Sequence, residues 1–330
     1  MAAINHTANK LTMAAERPRR SPFWLTYVVL GVLWLGTVSL SIRVDDSTTA
    51  NRFNLSLLQL HAIQLALALP GLLIFMAILF AALSLWRYAR AIGHSDESLG
   101  FRFVAYSIFT LLTGMVVGDY LGNIRQLAAQ HAADPQRVKT IFVIITNHVS
   151  VAFALLTYGL LLRGAWLLLR SIGRRLDMAK KLVPTVAGFA ALTATYLWLI
   201  HDNAASQMST DPDITPTFGL PYWLVILTVV LPYVAAWFMG VLALMGMHQY
   251  HLQTTGIVYR LVFRKLVVGM TLFISLTILL QLLTQLSSLY ATHNLSGILG
   301  IVVVIYIVLT YAFMLIAQGA RKLHTIEKSY

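Results

Sequence analysis

The carboxylate of Asp119 is the first candidate for chemistry in this sequence, because it lies near the end of an apolar run, in the stretch Gly118-Asp119-Tyr120. A carboxylate in hydrocarbon is costly unless it is paired or hydrated, and such residues often mark substrate or ion pathways. Arg125, six residues further on, could pair with it, or the carboxylate could reach the lipid headgroups. Gln281 occupies the corresponding part of a later run and could form a hydrogen bond between helices.

Histidine and asparagine side chains also fall inside apolar runs. His61 lies in the outer part of one run, and Asn147 and His148 lie near the middle of another. Two histidines at similar depth could ligate a haem or a metal ion. No carboxylate follows at ligand spacing, so hydrogen-bonded helix contacts are favoured. His248 and His251 could also bind metal, although their position favours anchoring at the membrane interface. We therefore expect no metal site and no cofactor.

Recognisable catalytic motifs are absent from the sequence. The chain has no cysteine, which excludes disulfides, thiolate metal sites and a cysteine nucleophile. It also lacks a Walker loop, G-x-S-x-G, H-E-x-x-H and the dinucleotide-binding fingerprint. No catalytic residue is assigned, and a function other than catalysis is favoured.

The elements that position these residues follow from composition. Of the 330 residues, 58% are hydrophobic and 11% are charged, whereas soluble domains carry about 25% charged residues. About 20 apolar residues suffice to cross a bilayer as a helix. The first run could instead be a signal peptide, although it is long for one. We predict an all-α polytopic membrane protein with about eight transmembrane helices: Phe23–Ile42, Leu57–Leu85, Phe103–Gly122, Ile141–Leu162, Leu182–Ile200, Pro221–Met247, Leu266–Tyr290 and Ser296–Gln318.

The distribution of Lys and Arg predicts the orientation of these spans. Nineteen of the 24 basic residues fall on one side, including both termini and the segment 163–181. Cytoplasmic loops carry the excess of basic residues, so residues 1–22 and 321–330 are expected in the cytoplasm. Because the charges sit between apolar runs, the net charge of +12 indicates contact with anionic lipid headgroups rather than with nucleic acid.

The chain also aligns with itself at an offset of 162 residues. Leu69-Pro70 then falls on Leu231-Pro232, Tyr88 on Tyr250, and Phe101-Arg102 on Phe263-Arg264. With a gap, Gly164-Ala165 matches Gly319-Ala320. Shared membrane-helix composition is the alternative explanation. A tandem duplication would place spans 1–4 in residues 23–172 and spans 5–8 in residues 173–320. Both halves would point the same way, and substrate sites in such proteins lie between the halves.

Prolines occur at matched positions inside the second and sixth spans. Pro70 and Pro232 each remove a helix hydrogen bond and are expected to kink their helices. Kinked helices line substrate pathways in many transporters, and static packing kinks are also common in membrane helices. Both prolines are therefore candidates for the substrate pathway.

The second half of the chain carries a set of residues on which a resemblance depends: Leu231-Pro232-Tyr233, Trp237, Gly240, Tyr259-Arg260, Gln281, Ala317-Gln318-Gly319-Ala320-Arg321-Lys322-Leu323 and Ile326-Glu327. In these residues it resembles multi-pass membrane proteins of unknown function from candidate-phylum bacteria such as the Saccharibacteria. The resemblance implies a bacterial cytoplasmic (inner) membrane location and carries no functional residue.

Three functions remain open at this point. The possible repeat and the paired prolines favour a transporter or channel for a small solute. The basic segment Arg163–Lys181 would suit a sensor or scaffold that binds a protein partner or anionic lipid. An intramembrane enzyme acting on lipid is the third possibility, and it lacks a recognisable pair of catalytic groups.

Overall fold

Six long helices form the described part of this protein. The computed structural model describes residues 28, 31–32, 56–93, 95–175, 186–191, 193–195, 197–198, 222–254, 257–290 and 295–329. No β-strand occurs among them. The helices are α1 (Leu57–Ala91), α2 (Asp96–Gln130), α3 (Pro135–Ser171), α4 (Leu231–Gln253), α5 (Ile257–Tyr290) and α6 (Leu295–Ser329).

Short polar segments set the ends of the first three helices. Ser56 caps α1 in a capping box with Gln59, and Ser95 caps α2 by accepting a hydrogen bond from the Ser98 amide. Asp134 caps α3 immediately before Pro135. Glycines with positive φ, Gly93 at +89° and Gly173 at +67°, follow α1 and α3 and end them.

A π-helical segment precedes α4. Residues Tyr222–Val225 form one α-helical turn, and Ile226–Val230 are π-helical, so that the Leu231 amide donates to the Ile226 carbonyl. Pro232 follows at once and has no amide hydrogen to donate. The π-helical turn at residues 226–230 is thus the local irregularity of the helix next to Pro232, the proline at which the sequence predicted a kink. Pro70, in contrast, lies inside α1, which is α-helical on both sides of it.

All six helices are long and apolar enough to cross a membrane. The prediction of an all-helical, multi-pass membrane protein is thereby confirmed. A shorter apolar helix, Val186–Thr195, lies in the range of the fifth predicted span. The first span, apart from residues 28, 31 and 32, lies outside the described residues. The helices also run past the predicted spans, so that Arg87, Arg90 and Arg163 lie in helices rather than in loops.

The helices pack as a closed ring in chain order. Each helix contacts the next, and α6 returns to contact α1. Large apolar side chains also point outward: Leu73, Leu156 and Ile307 are 61%, 52% and 61% exposed. Helices that are apolar on both their inner and outer faces are those expected in hydrocarbon.

Two helix pairs approach each other closely at glycine. A Cβ placed on Gly164 of α3 would lie 2.8 Å from the Gly100 carbonyl oxygen of α2. A Cβ on Gly319 of α6 would lie 3.2 Å from the Leu266 amide nitrogen of α5, and one on Gly269 would lie 2.6 Å from the Ala312 carbonyl oxygen. Small residues allow this close backbone approach between membrane helices.

Candidate functional site

A cavity of about 350 Å³ lies among the six helices. Ligand sites in proteins commonly have volumes of about 300–1,000 Å³. Every helix contributes to its wall, so the cavity lies between the α1–α3 half and the α4–α6 half. Representative lining residues, one from each helix in order, are Ile78, Asp119, Ser150, Trp237, Thr277 and Phe313.

The Asp119 carboxylate is the acidic group of this wall. Asp119 belongs to α2, and its side chain lines the cavity and is exposed. It forms no hydrogen bond or ion pair with any described residue. Arg125, the partner considered from the sequence, is not paired with it among these residues. Beside it, α2 is open: a Cβ added to Gly118 or Gly122 would meet nothing within 4 Å.

Two hydroxyl groups at the cavity differ in their hydrogen bonding. Tyr158 Oη of α3 lies 2.7 Å from Thr277 Oγ1 of α5, and Thr277 Oγ1 also donates to backbone carbonyls of its own helix. Thr157 is 1% exposed, and its Oγ1 has no partner in the described part of the chain. Buried hydroxyls are nearly always hydrogen-bonded, so this one is available to a ligand or a water molecule.

Aromatic rings form much of the remaining wall. Seven of the nineteen lining residues are aromatic, and no Lys, Arg or His is among the described residues that line the cavity. Tyr158 stacks on Phe273 with ring centroids 6.3 Å apart, and Phe273 contacts Phe313 at 5.2 Å. Tyr233 and Trp237 face each other at 6.3 Å on α4. The wall is thus aromatic with a single carboxylate.

A second polar cluster lies near two turns, the one between α1 and α2 and the one between α4 and α5. We call it the tyrosine cluster, and it consists of Tyr88, Glu97, Tyr250 and Tyr259. Tyr250 Oη and Tyr259 Oη donate to Glu97 Oε1 at 2.7 and 2.8 Å. Tyr259 Oη lies 2.7 Å from Tyr88 Oη. Because Tyr259 has one hydroxyl hydrogen and gives it to Glu97, Tyr88 must donate to Tyr259.

Buried apolar residues fill the bundle between the cavity and the tyrosine cluster. Leu85 of α1, Met247 of α4, and Leu266 and Met270 of α5 are fully buried, and each lies along its helix between the two sites. Phe101 and Phe263 meet edge to face at 6.0 Å next to the cluster. The described bundle is therefore packed shut on this side of the cavity.

Of the predicted pathway residues whose side chains the structure describes, Asp119 lies in the cavity wall. Asn147, Pro70 and Pro232 are not among the described lining residues. His148 is exposed, and its Nδ1 donates to the Ile144 carbonyl oxygen of its own helix at 2.7 Å. His61 and Gln281 lie within α1 and α5, and their side chains are outside the described residues. The roles proposed for these residues stay predictions.

Sequence reasoning missed Thr157 and the tyrosine cluster. Helical threonines usually bond to their own backbone, so nothing in the sequence separates Thr157 from Thr110 or Thr113, which do so. The offset of 162 residues pairs Tyr88 with Tyr250 and also Glu97 with Tyr259. That second pair was the available signal for the cluster.

Basic and aromatic side chains gather at the same end as the tyrosine cluster. Arg163 and Arg170 lie over the Trp166 ring at 4.4 and 5.6 Å from its centroid. Arg170 Nε is also 3.2 Å from Asp96 Oδ2. His251 stacks on Phe263 at 5.9 Å. No group of three or more metal-ligating side chains occurs among the residues described.

Comparisons with known proteins do not extend this description. No protein-family model, no curated protein and no solved structure matches the chain significantly.

Proposed function

We propose that this protein moves a small solute across the membrane, with the central cavity as its binding site. The observation that carries the proposal is a cavity between two halves that holds a carboxylate and a buried hydroxyl, both without partners among the described residues. Unsatisfied polar groups are costly inside a membrane protein unless water or a ligand reaches them.

We further propose that the two halves arose by duplication, because their contacts repeat. Gly164 packs on Gly100 and Val104, whereas Gly319 packs on Val262 and Leu266. The offset of 162 residues carries Gly100 to Val262 and Val104 to Leu266, and Gly164 and Gly319 were already matched. Shared composition does not explain why matched residues make matched contacts.

The tyrosine cluster follows the same symmetry. The offset exchanges Tyr88 with Tyr250 and Glu97 with Tyr259, so the bond from Tyr88 to Tyr259 corresponds to the bond from Tyr250 to Glu97. The bond from Tyr259 to Glu97 then joins two equivalent positions across the symmetry axis. The turn after α1 and the turn after α4 therefore lie at the same end, as a parallel repeat requires.

This arrangement supports transport by motion of one half against the other. In parallel-repeat transporters the substrate site lies near the midplane between the halves. Here the side toward the tyrosine cluster is packed shut by buried apolar residues. We infer that solute enters from the opposite side in this state and leaves when the packing around the tyrosine cluster opens.

Thiol labelling tests the proposal without knowledge of the solute. The chain has no cysteine, so Ser150→Cys places one thiol in the cavity wall. Ala152→Cys is the matched control, because Ala152 is exposed on the outer face of the same helix. In liposomes, a membrane-impermeant maleimide should modify position 150 when added from either side, and should leave position 152 unmodified.

If the maleimide does not modify position 150 from either side, transport through the cavity is contradicted. It would favour the second function, in which a static bundle binds anionic lipid or a protein through its basic end. The arrangement of Arg163 and Arg170 around Trp166 gives that end the arginine and tryptophan pattern of a headgroup contact.

A further inference from the structure

We infer that the cavity binds a small organic cation, held by the Asp119 carboxylate and by the faces of the surrounding aromatic rings. The inference rests on the proposed function and names its substrate class. It depends on the charge of the cavity wall, on its aromatic rings and on one buried hydroxyl.

The charge of the cavity wall determines the sign of the charge that the ligand carries. Asp119 is the one acidic residue among the described lining residues, and no basic residue stands among them to neutralise it. A carboxylate in a low-dielectric cavity strongly favours a cation over a neutral molecule and repels an anion. Inorganic cations prefer several oxygen ligands at once, and the wall offers one carboxylate and scattered hydroxyls.

The aromatic rings decide that the cation is organic. The wall includes Phe153, Tyr233, Trp237, Phe273 and Tyr306. Seven aromatic rings line the cavity, so a cation in contact with the wall comes within the reach of about 6 Å over which a cation is attracted to a ring face. Substituted ammonium groups gain from such contacts, because their alkyl groups make them easier to desolvate than a bare ion.

The hydroxyl of Thr157 supplies one directional contact. Its Oγ1 is buried and has no partner in the described residues, although it lies in the cavity wall. A ligand that also carries a hydroxyl or carbonyl group could satisfy it. We therefore expect an amphipathic ammonium compound with one further polar group to bind better than a purely alkyl ammonium ion.

The test compares a cation with its neutral isostere. Choline and 3,3-dimethylbutan-1-ol have the same shape and differ in charge, because carbon replaces the quaternary nitrogen. Binding of each to the full chain in nanodiscs would be measured by calorimetry, with empty nanodiscs subtracted and phenylacetate as the anionic probe. Choline should bind at least about tenfold more tightly than the alcohol, and phenylacetate should not bind.

Substitution of the carboxylate locates the effect. Asp119→Asn should weaken choline binding at least about tenfold and change binding of the neutral alcohol less than threefold. Asp96→Asn is the matched control. It removes a carboxylate at the other end of α2, about 35 Å away along the helix, so choline binding should be retained.

The outcomes separate this inference from the proposed function. Equal binding of choline and the alcohol, or choline binding that survives Asp119→Asn, would overturn the cation assignment while leaving a solute site. Failure of all three probes to bind also overturns the assignment. The proposal of transport is contradicted only if the cysteine of Ser150→Cys is also unreactive from both sides of the membrane.

Discussion

At the scale of single residues, the tyrosine cluster shows how one carboxylate orders three phenols. The chain of donors runs from Tyr88 to Tyr259 to Glu97, and Tyr250 donates to the same carboxylate oxygen. Tyr88 and Tyr250 are 1% and 2% exposed. Hydrogen bonds to a charged acceptor are about twice as strong as those between neutral groups. The two phenols should therefore differ in their contributions to stability.

Removal of single hydroxyls tests this difference. Tyr250→Phe should lower the free energy of unfolding by about 1.5–3 kcal/mol, because it removes a bond to a carboxylate, whereas Tyr88→Phe should cost about 0.5–1.5 kcal/mol. Unfolding in mixed detergent micelles would measure both. Tyr311→Phe is the control, because Tyr311 is 58% exposed on the outer face of α6. Equal losses for Tyr88→Phe and Tyr250→Phe would argue against an ionised Glu97 as the shared acceptor.

At the scale of helices, glycine sets how closely neighbours approach. Gly164 brings α3 against the α2 backbone, and its Cβ position lies 2.8 Å from a carbonyl oxygen that cannot rotate away. Packed interiors do not absorb an added methyl group without backbone movement. Any side chain at this position should therefore force α2 and α3 apart and destabilise the protein.

Alanine substitution measures this restriction. Gly164→Ala should destabilise the protein by about 1–3 kcal/mol, because α2 and α3 must separate to accept the methyl group. Gly122→Ala is the matched control in a helix where nothing lies within 4 Å of the new Cβ. That variant should be neutral or more stable by up to about 1 kcal/mol, since alanine favours helix. Similar thermal stability of the two variants would contradict the close crossing.

At the scale of the whole molecule, the basic residues and the ring of helices define two ends. The turns after α1 and α4 meet in the tyrosine cluster. Arg174 and Arg175 follow shortly after the end of α3, and Gln249 near the end of α4 donates to the Arg175 carbonyl oxygen at 3.2 Å. The turn between α2 and α3, at residues 131–134, lies at the other end of two helices that each could span a membrane. Positions at the two ends should therefore face opposite compartments.

Labelling of engineered thiols in intact cells and in inside-out membrane vesicles tests that topology. Arg174→Cys and Gln253→Cys should react with a membrane-impermeant reagent from the same side, and Ala133→Cys should react only from the opposite side. All three residues are exposed in the structure. Reaction of positions 133 and 174 from one side would mean that α3 does not cross the membrane. The positive-inside rule predicts that positions 174 and 253 face the cytoplasm.

Local composition was enough to predict the six long helices that the structure describes. The transfer of a side chain into hydrocarbon depends on that side chain and its immediate neighbours, so runs such as Leu57–Leu85 indicate helices directly. The same logic pointed to Asp119, because a carboxylate near the end of an apolar run is unusual wherever the run packs. The ends of the helices were less predictable, since Arg87 and Arg163 continue helices beyond the hydrophobic stretch.

The sequence by itself thus determined that this protein is helical and crosses the membrane several times. It also determined that Asp119 is a carboxylate near the end of an apolar run. Only the tertiary structure decided which groups meet. Glu97 and Tyr250 are 153 positions apart, and Thr157 differs from other threonines only through what surrounds it. Partition into a membrane sums over neighbouring residues, whereas a cavity or a hydrogen-bond cluster depends on how separate helices pack. Sequence matches between the two halves, such as Gly164 with Gly319, indicated some of that packing, and the contacts of these glycines show where the helices meet.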